Sequence, residues 1–340
     1  MKAMRILVYG AGVQGSLYAS RLAESGHDVA LLARGARLAE LRARGILLED
    51  ILTGRTTTTV VPIVDRLEPG DAFDLVLIPV RREQIASVLP ALAAAKHVPA
   101  LCFMHNHAGG SSSLAKAVGA ERVVLGFPGA GGARGDDGVV RYGLIAQQPT
   151  TIGELDGRIT PRLELLEHAL RGAGFRTALS RHMEAWLTAH AVFVTALSGA
   201  LYRRGGDPAK VAAARDDVAL FVRAVREGFG ALGPSGLANP PTNLRAIFEW
   251  LPMWIGVAYW RRYLAAPAAD HFFGHHARAA TGEMRALVDD LRALLPAPAS
   301  VPSLRTLWAA VDAYAAECDS TVRIGHLKST RAEAPEGCNR

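Results

Sequence analysis

Short apolar runs alternate with helically spaced stretches through the first half of the chain. Residues 5–9 form an apolar run that suits a buried strand, 14–25 follow with helical spacing, Gly26-His27 makes a turn, and 29–33 reads as a second strand. Residues 56–64 read as extended. The runs 75–80 and 100–104 are further strands with a helix at 84–95 between them, and 123–127 is another. A glycine-rich stretch follows, and 139–155 reads as a hairpin. Strands alternating with helices predict an α/β fold with a parallel sheet and crossover helices.

The texture changes near residue 160. Alanine, leucine and arginine recur at helical spacing and strand signals nearly vanish. Helices are predicted over 161–173, 182–202, 208–232, 242–264, 277–295 and 303–318, with breaks at Pro240-Pro241 and at 296–302. The tail from Lys328 is polar and aperiodic and is expected to be disordered. The expected division is a first domain over 1–160, an all-helical domain over 161–327 and the tail over 328–340.

Composition narrows the picture. Half of the 340 residues are hydrophobic, enough for a sizeable core and for two domains rather than one. Three cysteines without paired spacing argue against a disulfide framework or a zinc site and fit a reducing, cytoplasmic setting. The first residues run straight into a strand, so no signal peptide is expected. The net charge of +6 comes without basic runs or interleaved aromatics, so nucleic acid is not an expected partner. An anionic cofactor or substrate accounts for some of it. The apolar stretch 246–266 is interrupted by Glu249, Pro252 and paired arginines, too soon to cross a bilayer, and no membrane partner is expected.

The strongest chemical signal is Gly10-Ala11-Gly12-Val13-Gln14-Gly15, set between a predicted strand and a predicted helix. Gly10 permits a tight turn, Gly12 leaves room for a pyrophosphate, and Gly15 lets the helix pack on the strand. Backbone N–H groups at the helix N-terminus then bind phosphate. The pattern predicts a Rossmann-type first domain, with the all-helical domain after it. Enzymes that use NAD place an acidic residue at the end of the second strand. Here that position is Arg34, with Arg37 close by, and a guanidinium suits a 2′-phosphate. The expected cofactor is therefore NADP(H).

With these features in order, the sequence resembles the ketopantoate reductase (2-dehydropantoate 2-reductase) family over residues 4–315. The opening glycines and Arg34 fit the family pattern. The run 75–84 resembles the family strand that ends in a basic residue near the cofactor, here Val80-Arg81. The segment 104–109 resembles the family motif whose asparagine lies at cofactor and substrate, here Asn106. The glycine-rich run with Gly132 lies where the family chain passes the nicotinamide. Residues 184–202 resemble the helix that opens the family's helical domain, and 282–287 the segment bearing a cofactor-proximal glutamate, here Glu283. The resemblance implies NADPH on the first domain and reduction of a 2-keto acid to a 2-hydroxy acid in a cleft between the domains. A homodimer is one expected assembly.

The substrate side departs from the family. Its catalytic lysine falls on Thr188, its two helix asparagines on Val192 and Ala196, and its carboxylate-binding serine on His271. A threonine hydroxyl is a poor proton donor near neutral pH. His190 titrates in a useful range but points about 200° away from Thr188 on a helix, so its expected place is in the core or an interface. His105 and His107 flank Asn106 and are candidates for the pocket edge. The clustered His271, His275 and His276 lack metal-ligand spacing, and no metal is expected. Trp250, Trp254 and Trp260 are expected in the core or at a dimer contact. Three readings remain: a reductase of a different, bulkier keto acid, ketopantoate reductase with a replaced acid, or an NADP(H)-binding protein without turnover.

Overall fold

A computed structural model describes residues 3–295 and 300–327. The expected break at 296–302 lies partly outside these residues, and the tail from Lys328 lies outside them entirely. The chain forms two compact units, Met1–Glu184 and the part from Ala185 onward.

The first unit holds twelve strands among its described residues: β1 (Arg5–Tyr9), β2 (Asp28–Leu32), β3 (Ile46–Asp50), β4 (Thr56–Thr59), β5 (Ile63–Val64), β6 (Leu75–Ile78), β7 (Leu101–Met104), β8 (Val123–Phe127), β9 (Ala130–Arg134), β10 (Val140–Leu144), β11 (Thr150–Glu154) and β12 (Thr177–Leu179). The helices between them are α1 (Val13–Glu24), α2 (Gly35–Arg44), α3 (Ile85–Ala94), α4 (Ser111–Val118) and α5 (Pro161–Gly172). Eight strands form one sheet in the order β12-β11-β8-β7-β6-β1-β2-β5, parallel except where β11 runs against β8. The central strands are buried on both faces. Ile6, Leu7 and Val8 of β1 and Val76, Leu77 and Ile78 of β6 are wholly enclosed, which is why they read as unbroken apolar runs.

The remaining strands make a second, four-stranded sheet, β4-β3-β10-β9. The expected hairpin at 139–155 does not form. Its two strands separate: β10 pairs antiparallel with β9 and parallel with β3, while β11 joins the large sheet beside β8. The true hairpin is β9–β10. Its first strand is hidden by glycine, which disfavours strands in general but here lets backbones approach. A Cβ on Gly132 would lie 2.2 Å from the Arg141 carbonyl oxygen. β12 is a single short strand in the part of the chain that reads as helical.

The second unit is helical, the class expected for this part of the chain. It follows α6 (Met183–Tyr202), which begins in the first unit, with α7 (Pro208–Ala213), α8 (Arg215–Leu232), α9 (Thr242–Arg245), α10 (Met253–Leu264), α11 (His275–Ala279), α12 (Thr281–Leu294) and α13 (Pro302–Leu327). Three expected helices are broken. The 208–232 segment parts at Ala214, where the backbone leaves the helical region at φ −88° and ψ 87°. The 242–264 segment passes through a π-turn at 246–250 and then stops, because Pro252 forces Leu251 into an extended conformation. The 277–295 segment breaks at Ala280, the N-cap of α12. α6 is long and apolar enough to cross a membrane by length and composition, but 89% of its apolar window is buried inside the protein. It serves as the axis of the core: Gly199 meets the Leu307 carbonyl of α13, and Thr195 accepts a hydrogen bond from the Trp308 indole at 3.1 Å. The tryptophans divide. Trp260 packs among Phe193, Phe221 and Phe248, whereas Trp250 and Trp254 are exposed at 62% and 67%. Cys102 is free and buried.

Candidate active site

In the first unit the glycine turn joins β1 to α1 at the carboxyl end of the sheet. Gly10 sits at φ +112°, a conformation that favours glycine, and its N–H donates to the Leu32 carbonyl at 3.1 Å. Val80, one of the residues the sequence singles out, supports this turn: its Cγ1 would be 3.1 Å from a Cβ on Gly10. Gly15 is glycine for packing, since a Cβ there would stand 1.7 Å from the Gly10 carbonyl oxygen. Gly12 is different. A Cβ there would meet nothing within 4 Å, so the fold itself does not require glycine. Gly12 is also the N-cap of α1, has no side-chain cap, and α1 has no acidic residue in its first turn. The positive end of a 12-residue helix thus opens onto free space, which fits a phosphate. Ala11 and Val13 are partly exposed around the turn. Gln14 reaches from α1 to the Ala130 carbonyl at 2.6 Å, tying the helix to the start of β9.

The two arginines differ in availability. Arg34, the N-cap of α2, is exposed, and its Nη2 donates to the Tyr9 hydroxyl at 2.8 Å. Its guanidinium carbon lies 5.8 Å from the Tyr9 ring centroid. Tyr9 is therefore a positioning side chain that the sequence reading missed; its signal was an aromatic at the last position of the strand before the glycine turn. Arg37 pairs with Glu40 at 2.9 Å and donates to Ser16 Oγ and the Gly138 carbonyl, so its charge is largely answered within the protein. Arg81 is exposed at the end of the β6 segment, where its N–H donates to Gln84. Gly132 lies on β9, and the strand pairing described above accounts for its being glycine.

Asn106 lies in the loop after β7, buried together with His105 and His107. The His105 ring meets Phe103 and His107 edge to face, at 6.2 and 5.6 Å between centroids. Burial, then the neighbouring His107 and Arg82, pushes the His105 pKa well below the ordinary histidine value.

In the second unit Thr188 and His190 are both buried on α6. His190 stacks on Trp186 at 5.5 Å and borders Phe193. Burial, with a smaller contribution from the charge of His276, pushes its pKa down to about 3. Lowered in this way, the His190 ring is neutral near pH 7. Glu283, in the first turn of α12, is buried, and its Oε2 lies 3.7 Å from His276 Nε2. Glu283, His276 and His190 therefore form one cluster. Val192 and Ala196 are fully buried in the core. Among the described residues, no group of three or more His, Cys, Asp or Glu is arranged to hold a metal.

Buried neutral histidines make stability fall with acid. Folded-state values below 6.5 mean that the unfolded chain takes up protons first. The stabilisation is complete above about pH 6.5 and declines as pH falls from there toward 3. Each wholly buried histidine contributes a slope of up to about 1.4 kcal/mol per pH unit. Urea unfolding at pH 7.5 and pH 5 should show a lower midpoint at pH 5, and His190→Phe should flatten the difference. Equal midpoints would contradict neutral burial.

The architecture defines the class: a Rossmann-type sheet unit with a glycine turn at its carboxyl edge, followed by a helical unit. Residues 6–157 match the family model described as ketopantoate reductase PanE/ApbA. A 2-dehydropantoate 2-reductase of Archaeoglobus fulgidus is 28% identical over 198 residues, 58% of this chain and 63% of the relative, so the match spans less than two thirds of that protein. Two solved structures share the fold: a 2-dehydropantoate 2-reductase from Geobacter metallireducens (TM-score 0.70, 18% identity, covering 91% of this chain and 99% of that one) and D-mandelate dehydrogenase with NADH and anilino(oxo)acetate (TM-score 0.72, 16% identity, covering 92% and 99%). The family model thus matches less than half of the chain, all of it within the first unit, and the solved structures share the fold.

Proposed function

We propose that this chain is an NADPH-dependent reductase that converts a 2-keto acid or related carbonyl compound to the hydroxy compound, with a substrate other than ketopantoate. The observation that carries the reading is the open space over Gly12 at the N-terminus of α1, beside a turn that Gly10 and Gly15 hold in shape. When bound, the nicotinamide cofactor supplies the hydride. The chain's own residues do the rest. The α1 amides hold the pyrophosphate, Arg34, steadied by Tyr9, pairs with the 2′-phosphate, and Val80 and Arg81 border the cofactor. Asn106, in the loop after β7, would act at the nicotinamide end.

A substrate other than ketopantoate is favoured by Thr188, Val192 and Ala196 where the family carries lysine and two asparagines. All three are buried, with Val192 and Ala196 committed to the core. The anilino(oxo)acetate in the D-mandelate dehydrogenase complex illustrates an aryl-bearing oxo acid on the same fold. A panel of 2-keto acids from ketopantoate to aryl-substituted members, followed by NADPH absorbance, tests the substrate. Rapid reduction of ketopantoate would refute the substrate exclusion. NADPH binding with no turnover of any member would leave a non-catalytic NADP(H)-binding protein in its place.

Arg34→Asp tests the cofactor. Losing a charge-assisted contact and adding a repulsion to the 2′-phosphate should weaken NADPH binding by about 10²-fold or more while NADH changes only a few-fold. Titration calorimetry with both cofactors reads this directly. Equal losses would refute the preference for NADPH.

A further inference from the structure

The exposed large apolar side chains are unevenly spread. Among the described residues, Leu52, Val60 and Leu165 stand apart in the first unit, whereas Trp250, Leu251, Trp254 and Tyr259 follow one another closely in the second. The two tryptophans alone leave roughly 200–300 Å² in water, and clustered apolar exposure of that order marks an interaction surface. α10 carries most of this patch. Its inner face, with Gly256, Val257, Trp260 and Leu264, is buried against the second unit's own core. On the outer side Trp254, Ala258, Arg262 and Ala265 recur at helical spacing, form one stripe and are all exposed. We infer that this stripe is the seam of a homodimer, in which α10 packs antiparallel against α10 of a second copy about a two-fold axis at Ala258. The inference needs no cofactor and involves the second unit alone.

The order of side chains along the stripe selects the occupant. A two-fold interface is isologous, so a residue ahead of the axis meets the residue equally far behind it on the other copy. With Ala258 on the axis, Trp254, one turn before, meets Arg262, one turn after, and does so twice. Leu251, just ahead of the helix, comes opposite Ala265, just past its end. A guanidinium stacks favourably on the face of a tryptophan, and a small residue at the crossing lets two helices approach closely. Arg262 is the arginine available for this. Arg245 pairs with Glu249 at 3.4 Å, Arg261 donates to the Ala212 carbonyl at 3.0 Å, and Arg226 donates to the Leu251 carbonyl. The Arg262 guanidinium has no hydrogen-bond, ionic or ring partner among the described residues. Antiparallel packing also sets the positive end of each helix beside the negative end of the other. A lipid surface would accept the tryptophans too, but it would not call for an aromatic, a small residue and a cation at four-residue intervals.

The test is the oligomeric state of the full chain, read by sedimentation velocity over about 1–100 µM, the range in which an interface of modest size associates. The wild type should dimerise. Trp254→Arg should raise the dimer dissociation constant by about 10²-fold or more, because each dimer loses two ring contacts and sets two pairs of guanidinium groups against each other. The swapped chain Trp254→Arg/Arg262→Trp restores an arginine opposite a tryptophan in this register alone, and should bring the constant back to within about 10-fold of wild type. Both positions are exposed, so the far-ultraviolet circular dichroism of each variant should match wild type and show that it is folded. A wild type that stays monomeric throughout the range overturns the inference; if that monomer co-sediments with vesicles of anionic phospholipid, the face belongs to a membrane instead. A dimer indifferent to Trp254→Arg overturns it by placing the interface elsewhere. A dimer broken by Trp254→Arg and not recovered by the swap overturns the antiparallel seam at Ala258. None of these outcomes bears on the reductase reading.

Discussion

A Gly15→Ala chain should lose both stability and cofactor binding, whereas Gly12→Ala should lose binding alone. At Gly15 the added methyl would stand 1.7 Å from the Gly10 carbonyl oxygen and 2.9 Å from its carbon. Those atoms cannot retreat easily. Gly10 is held by its bond to Leu32 and by Val80, in a backbone conformation that few residues adopt. Overpacking of this kind costs about 1–3 kcal/mol, and a clash with backbone belongs at or above the upper end. At Gly12 nothing lies within 4 Å, so stability should change by less than about 1 kcal/mol, the scale of an N-cap substitution. The methyl would occupy the space proposed for the pyrophosphate. Urea midpoints and NADPH fluorescence titrations on both variants separate the two effects. If Gly12→Ala bound NADPH as wild type does, the glycine turn would be a structural device only, and the proposed function would lose its support.

The second large effect is expected at Arg162. This arginine closes the end of the large sheet. It pairs with Glu154 of β11 at 2.5 and 2.8 Å and donates to the carbonyls of Pro99, Glu121 and Val123. Glu154 is 4% exposed and also accepts from the Thr160 hydroxyl at 2.5 Å. The carboxylate, by hydrogen bond and charge, raises the Arg162 pKa above its ordinary value. Arg162→Met should cost about 3–5 kcal/mol, because it strands a buried charge. Adding Glu154→Leu should restore much of the loss, since an apolar pair of similar volume carries no stranded charge. Chemical denaturation of the single and double variants reads this. A single variant within about 1 kcal/mol of wild type would mean that water reaches Glu154.

The reading of the glycine turn from sequence succeeded because its causes are local. An apolar run, three glycines at fixed spacing and a helical stretch each act within a few residues, and β1, α1 and β2 formed where they were expected. The hairpin failed because strand pairing is not local. Residues 140–144 and 150–154 are both strands, yet one is taken by β9 and β3 and the other by β8 and β12. β9 stayed hidden because its glycines argue against a strand by propensity, while the close approach of the Arg141 carbonyl requires one of them.

The same division runs through the candidate site. That Arg34 follows the second strand is written in the chain, but that Tyr9 steadies it while Glu40 occupies Arg37 is a matter of packing. His190 and His276 are both histidines near a helix in sequence. Their surroundings differ because one ring is enclosed against Trp186 and the other faces a buried carboxylate. Trp254 and Trp260 lie on one helix, yet one is exposed and the other is in the core. The sequence by itself determined the α/β class, the glycine turn and the position of its arginine, because periodicity and backbone freedom act over short distances. Only the tertiary structure decided which strands pair, which charges are answered and which histidine is enclosed, because desolvation and Coulomb interactions depend on neighbours brought together from distant parts of the chain.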